Sequence, residues 1–158
     1  MQSVLTRSRQ RLQSLATRGS CATMAVSSVS SDDQGFRRVR PLHLVKDPKV
    51  VGGWRASSAA FEDDSDGASM SVYLRSIVLD IGLTDKDVVA GKETKWAVAA
   101  IPIQVLVEEE QVVEPDPIVN ALVSHPCDPA HALVNGVKKP KTRRERISKA
   151  SPLVFIVP

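Results

Sequence analysis

Short runs of β-branched and other apolar residues recur along this chain, and such runs predict β-strands. The first predicted strand, Phe36–Val45, contains Pro41, which either bends it or confines it to a sheet edge. The longest, Trp96–Val107, is broken in the same way at Pro102. Two further strands are predicted, over His131–Val134 and Leu153–Val157.

Helical spacing and capping signals predict three short helices. In Ser71–Gly82 the apolar residues fall near every third or fourth position, and Gly82 provides a stop. Thr84–Ala90 begins with a Thr-x-x-Asp capping sequence, and Thr142–Ala150 begins with Thr-x-x-Glu. In both capped segments the threonine side chain is expected to accept a hydrogen bond from the backbone three residues later.

Strands and helices do not alternate regularly in this pattern, which argues against a doubly wound parallel sheet. The segment Ile118–Ser124 is ambiguous between helix and strand. The predicted fold class is therefore α+β, with a mainly antiparallel sheet and two or three short helices. Residues 36–158 are expected to form this single domain, and residues 1–35 a disordered or loosely attached arm.

The first 31 residues are rich in Ser, Thr and Arg and contain no acidic residue. This composition is typical of a mitochondrial transit peptide, and it lacks the apolar core of a secretory signal peptide. The alternative is an upstream extension, with Met24 as the working start of a flexible leader. Because small residues follow Met24 and the folded pattern begins only near Phe36, we favour the alternative.

The 158 residues are 42% hydrophobic and 25% charged, an ordinary globular composition that is sufficient to build a core. No stretch approaches the roughly 20 consecutive apolar residues of a membrane-spanning helix. The two cysteines, Cys21 and Cys127, are too few for a disulfide framework. The sequence therefore excludes a transmembrane protein and a disulfide-stapled mini-protein.

The net charge of +3 hides an uneven distribution of charge along the chain. Residues 41–137 carry a net charge of −8, whereas residues 138–149, the basic segment, carry +6. This asymmetry does not indicate a uniformly basic nucleic-acid-binding protein. It makes the basic segment the candidate surface for an acidic partner. The basic residues of the segment are Lys138, Lys139, Lys141, Arg143, Arg144, Arg146 and Lys149.

Three sequence elements resemble a family of small uncharacterised bacterial proteins. They are Phe36–Phe61 with its Arg-Ala-Ser-Ser-Ala-Ala-Phe core, the step Met70–Val72, and Asp128–Gly136 followed by a basic helix. The resemblance covers residues 36–158 and leaves the arm outside. It implies a bacterial, cytoplasmic protein and no particular chemistry.

His131 is a candidate for acid–base chemistry, because histidine titrates near neutral pH. Arg40, Ser57 and Glu110 occur in this order along the chain. The order Arg–Ser–Glu resembles the arrangement of these residue types in ADP-ribosyltransferase-like folds, and the resemblance implies a nucleotide-type substrate. The competing interpretation makes His131 a hydrogen-bonded residue at a strand start, Ser57 part of a packing strip and Glu110 a solvated strand end. The four residues support an enzyme only if they converge in one cleft.

The sequence does not indicate a metal or cofactor site. The three histidines lack metal-ligand spacing, and His125-x-Cys127 has no second pair of ligands. Asp64-x-Asp66 resembles only half of a calcium loop. No phosphate-binding glycine-rich motif is present in the sequence. We therefore expect neither a metal nor a cofactor.

The function favoured by the sequence is that of a small cytoplasmic binding module. It would contact a protein partner, or a second copy of itself, partly through the basic segment. The alternatives are an enzyme acting on a nucleotide-type substrate and a nucleic-acid-binding protein. No membrane association is expected, and a mitochondrial location applies if residues 1–31 act as a transit peptide.

Overall fold

The computed structural model describes residues 28–65, 69–118 and 125–158, and within these ranges it contains eight strands and four α-helices. The strands are β1 (Gln34–Val39), β2 (Leu44–Lys46), β3 (Trp54–Ala56), β4 (Met70–Leu74), β5 (Ala97–Pro102), β6 (Gln111–Pro115), β7 (His131–Gly136) and β8 (Leu153–Ile156). The α-helices are α1 (Arg75–Asp80), α2 (Asp85–Val88), α3 (Ile103–Glu108) and α4 (Lys141–Ala150). Short 3-10 turns span Pro41–His43, Ser58–Phe61 and Asp128–Ala130.

Six strands form one antiparallel sheet in the order β6-β7-β4-β1-β5-β8, and β2 and β3 form a separate hairpin. This arrangement confirms the predicted α+β class with a mainly antiparallel sheet. The number of α-helices in the described ranges is four instead of the expected two or three. None of these helices is long and apolar enough to cross a lipid bilayer.

Both faces of the large sheet are covered by other elements. Five consecutive residues of β5, Ala97–Ile101, are buried, and neighbouring residues on a strand point to opposite faces. Helix α4 packs on the turn Ser58–Phe61, where Ile147 and Phe61 are fully buried, and α1 contacts the turn Asp128–Ala130. Burial of each such large apolar side chain contributes about 1.5–3 kcal/mol.

Strand β1 lies in the middle of the sheet but is paired unequally with its two neighbours. It pairs with β5 along its whole length of six residues. It pairs with β4 only at Gly35↔Leu74 and Phe36↔Tyr73. Beyond Phe36 the two strands separate, and the candidate site lies at this opening.

Several predicted elements are confirmed. Pro41 divides the predicted strand Phe36–Val45 into β1 and β2, although β1 is a central strand and not an edge strand. Helix α2 has the predicted capping box, in which the Thr84 backbone N–H donates to the Asp87 carboxylate at 2.8 Å. The predicted strand at His131 is β7.

Other predicted elements are wrong in part. The expected helix Ser71–Gly82 is strand β4 followed by α1, and the expected strand Trp96–Val107 is β5 followed by helix α3 from Ile103. The predicted cap at Thr142 does not form, because α4 begins one residue earlier with Pro140 at its N-cap. The fixed φ of proline suits a helix start, and no side-chain hydrogen bond caps this helix.

The closing strand Leu153–Val157 is β8, which lies at the edge of the sheet and pairs with β5 alone. Its residues are partly buried, with Val154 exposed. Most of the arm and of the ambiguous segment, residues 1–27 and 119–124, lie outside the described residues, as do Asp66 and Gly67 of the acidic loop.

Candidate functional site

A cleft of about 320 Å³ opens where β1 and β4 separate. Four of its lining side chains are basic and one is acidic. The basic residues are Arg37, Arg38, Arg40 and Lys92, and the acidic residue is Asp64. The remaining wall consists of Ser71, Tyr73, Trp96, Ile118 and His131.

Arg37 forms hydrogen bonds that connect the segments around the opening of the cleft. Its guanidinium donates to the backbone carbonyls of Ala60 (3.1 Å), Ser71 (2.9 Å) and Glu62 (3.3 Å), and to the Asp64 carboxylate at 3.0 Å. Burial raises the pKa of Asp64, but the charge and hydrogen bonds of Arg37 and Ser71 outweigh it, so this pKa lies below its usual value. Arg37 is therefore a fully partnered structural residue.

Arg38, the next residue, is partnered very differently. Its Nε donates to the Val88 carbonyl at 2.6 Å, and its guanidinium carbon lies 4.8 Å from the centre of the Tyr73 ring. Its Nη2 atom is buried and has no hydrogen-bond acceptor among the described residues. A buried donor on a charged group that lacks an acceptor costs more than a neutral one, so this atom requires an explanation.

Arg40 and Lys92 add positive charge at the mouth of the cleft. Arg40 is exposed, and neither residue forms an ion pair with a carboxylate in the described parts of the chain. The Lys92 ammonium lies 5.0 Å from the centre of the Trp96 ring, a cation–π contact that places it beside the cleft wall. Both cations are thus available to a bound molecule.

His131 contributes a titratable group to the same cleft. Its Nδ1 lies 2.9 Å from the backbone carbonyl oxygen of Asp116 and 3.1 Å from the carboxylate Oδ2 of that residue. The ring packs edge-on against Tyr73 at 5.7 Å. Asp116 therefore fixes the imidazole in one orientation, as a second residue does for many functional histidines.

Burial, with a smaller contribution from nearby arginines, lowers the pKa of the other two histidines. Burial and then the charge of Arg38 hold the pKa of His125 below its usual value. Burial and then the charge of Arg40 do the same for His43. The His125 ring lies 5.6 Å from Tyr73, and its buried Nε2 also has no hydrogen-bond partner within the described ranges. Two buried nitrogen atoms near Tyr73 thus lack partners.

Comparison with protein-family models, with curated proteins and with solved structures finds no match to this chain. The resemblance to small bacterial proteins and the cytoplasmic or mitochondrial location therefore stay predictions. The site has to be interpreted from its own geometry.

Only two of the four candidate catalytic residues line the cleft. Arg40 and His131 both line the cleft. Ser57 lies outside the lining, before the turn Ser58–Phe61, where its backbone N–H donates to the His43 carbonyl at 2.8 Å. Glu110 follows α3 and accepts a hydrogen bond from Arg143 at 3.0 Å. Ser57 and Glu110 therefore do not line this cleft with Arg40 and His131.

The basic segment is largely engaged within the molecule. Lys139 is buried and pairs with Asp63, and Arg144 pairs with Glu62. The remaining ion pairs of the segment with other elements are Arg143 with Glu109 and Glu110, and Arg146 with Glu109. These contacts fasten α4 to the acidic residues around α3 and the turn Ser58–Phe61, so that most of the predicted partner surface is already neutralised.

The pKa of Glu109 lies below its usual value. Hydrogen bonds from Arg146 outweigh the effect of burial, and the charges of Arg146 and Arg143 lower this pKa as well.

Lys138, Lys141 and Lys149 are exposed. Lys141 has only a 3.9 Å contact with Glu145 on its own helix, and the other two form no ion pair with any described residue. The basic residues of the segment that form no ion pair with another described element are therefore these three exposed lysines.

We expect the double variant Arg143→Gln, Arg144→Gln to lower the free energy of unfolding by roughly 1–3 kcal/mol, because two half-buried charged hydrogen-bond donors are lost. The measurement is urea denaturation followed by circular dichroism. The control variant Lys138→Gln, Lys149→Gln removes the same charge from exposed positions and should change stability by less than about 0.5 kcal/mol. Equal effects in both variants would show that the ion pairs do not fasten α4.

Sequence reasoning missed Arg38, Tyr73, Lys92 and Asp116. One signal was available: two consecutive arginines lie inside a strand whose flanking residues, Phe36 and Val39, are buried. Charged residues inside a buried strand require partners or a function. No cluster of three or more potential metal-ligating side chains is found in the described residues.

Proposed function

We propose that this protein binds a small anionic molecule in the cleft between β1 and β4. The observation that carries the proposal is the surplus of positive charge in this cleft, whose lining residues Arg38, Arg40 and Lys92 have no carboxylate partner among the described residues. The cleft volume of about 320 Å³ lies within the range of small-molecule sites, roughly 300–1,000 Å³.

The neighbouring arginine supports this interpretation by contrast. Arg37 satisfies its guanidinium with three backbone carbonyls and one carboxylate, as a structural arginine should. Arg38 and Arg40 have no carboxylate partner in the described chain, although the sequence contains 18 acidic residues. The excess of positive charge in the cleft attracts anions and lowers the cost of removing them from water.

The other proposals have less support. A macromolecular contact through the basic segment would rely on Lys138, Lys141 and Lys149, since the arginines of α4 are paired within the molecule. An enzyme acting on a nucleotide-type substrate would use Arg40 and His131 of the predicted set, without Ser57 and Glu110. Anion binding is compatible with that second proposal and does not depend on it.

The test uses Trp96 as a reporter, because it lines the cleft. In a Trp54→Phe background it is the remaining tryptophan of the two in the chain. Sulfate and phosphate are titrated at constant ionic strength while its fluorescence is recorded. We expect a saturable change, and we expect Arg38→Gln to weaken binding at least about tenfold through loss of a charged hydrogen bond.

Arg40→Gln is the second test variant, because Arg40 is exposed and is not tied into the core, so its loss leaves the fold intact. It should weaken binding about two- to fivefold, as expected for a partly screened charge. Lys149→Gln is the matched control and should change binding little. A response that does not saturate, or an equal loss in Lys149→Gln, would contradict the proposal.

A further inference from the structure

His131 is held so that one ring nitrogen is available to the cleft. The two atoms near Nδ1, the carbonyl oxygen and the carboxylate of Asp116, are both acceptors. Nδ1 must therefore carry a hydrogen, whichever protonation state the ring has. Nε2 has no hydrogen-bond partner in the described chain, and the ring lines the cleft. It can accept a hydrogen bond when neutral and donate one when protonated.

His131 and Arg38 flank the same aromatic ring. The guanidinium carbon of Arg38 lies 4.8 Å, and the imidazole of His131 5.7 Å, from the centre of Tyr73. Both residues also line the cleft, so an anion bound there has the guanidinium and the imidazole in the walls around it.

The charge of the cleft favours a dianion over a single carboxylate. Arg38, Arg40 and Lys92 have no carboxylate partner within the described residues, while Arg37 is neutralised by Asp64. A phosphate monoester offers three terminal oxygens and close to two negative charges at neutral pH. A carboxylate offers two oxygens and one charge, which leaves more of the cationic donors without a partner.

The size and lining of the cleft favour an organic phosphate. The cleft is about 320 Å³ and has Trp96 and Ile118 in its wall in addition to the charged residues. Such a wall is suited to an apolar or aromatic group attached to the phosphate.

We propose, building on the anion site above, that its ligand is an organic phosphate monoester and that protonated His131 donates from Nε2 to the phosphate. In this complex the imidazolium bridges two anions, the Asp116 carboxylate and the ligand. The charged groups around it are Asp116, Arg38, Arg40 and Lys92, and the titratable ring of His125 also lies against Tyr73. Tyr73 packs against the ring. A bound dianion offsets the three cations, so binding takes up a proton.

The experiment is isothermal titration of phenyl phosphate into the full chain at pH 7.5, in two buffers of different ionisation enthalpy. At this pH the ligand is already a dianion, because its second pKa is about 6. Proton uptake must therefore occur on the protein. We expect measurable uptake, and we expect benzoate, an aromatic monocarboxylate, to bind at least about tenfold more weakly.

His131→Gln is the decisive variant, because glutamine remains polar but cannot be protonated. It should abolish most of the proton uptake and weaken phenyl phosphate binding about tenfold. His125→Gln tests the competing site, the other histidine beside Tyr73 whose pKa Arg38 also lowers, and this variant should retain most of the uptake. Equal binding of benzoate, no proton uptake, or uptake that survives in His131→Gln would overturn this inference. Saturable binding lost in Arg38→Gln would leave the proposed anion site standing in each of those cases.

Discussion

Replacing Asp63 with Asn should destabilise the protein by about 3 kcal/mol, because it leaves the buried ammonium of Lys139 without a counter-charge. The Lys139 side chain is only 2% exposed, whereas that of Asp63 is 31% exposed. Breaking one partner of a fully buried pair costs about 3–5 kcal/mol, and the partial exposure of Asp63 places this pair at the lower end. The measurement is the free energy of unfolding in urea.

A double-mutant cycle controls this prediction. Lys139→Met should cost less than Asp63→Asn, since the carboxylate it leaves unpaired remains in contact with water. The double variant should be more stable than Asp63→Asn alone, because no uncompensated charge stays buried. If the two single variants cost the same and their effects add, the pair is not coupled and the account of this contact is wrong.

Gly136→Ala should also destabilise the fold by about 3 kcal/mol or more. Gly136 has φ +147°, and a Cβ added there would lie 2.4 Å from the Glu110 carbonyl oxygen and 2.9 Å from Gln111 Cα. Both are backbone atoms of the neighbouring strand region, so neither can rotate away as a flexible side chain could. The strand pair β6–β7 would have to move apart at its end.

Gly91→Ala is the matched control for this substitution. Gly91 has φ +72°, but a Cβ there would meet no atom within 4 Å. Its cost should be limited to the left-handed backbone conformation, about 1–2 kcal/mol. Thermal melts of the two variants compare them directly. A Gly136→Ala variant as stable as Gly91→Ala would show that the close approach of the two strands is not required.

The fold class could be predicted because its signals are local. The cap of α2 depends only on Thr84 and Asp87, three residues apart, and the split between β1 and β2 depends only on Pro41. For a segment whose residues are buried on both faces, the sequence pattern does not distinguish a helix from a strand. Met70–Leu74 forms a strand because β1 and β7, distant in sequence, pair with it on either side.

The candidate site was only partly predictable, for a related reason. Arg40 and His131 were identified, but the cleft depends on the short pairing of β1 with β4, which no local pattern encodes. The ion-pair partners of the basic segment could not be predicted from the sequence either. Nothing in the sequence around Glu109 and Glu62 indicates that α4 will pack against them, 37 and 82 residues away in the chain.

The most direct test of the central claim is a two-dimensional ¹H–¹⁵N NMR titration of the full chain with phenyl phosphate at constant ionic strength. The account predicts that the largest saturable shift changes occur at the backbone amides of Arg38, Tyr73 and His131 and at the indole N–H of Trp96. Resonances of α4 should move little. Changes centred on Lys138, Lys141 and Lys149, or small changes spread evenly over the molecule, would contradict an anion site between β1 and β4.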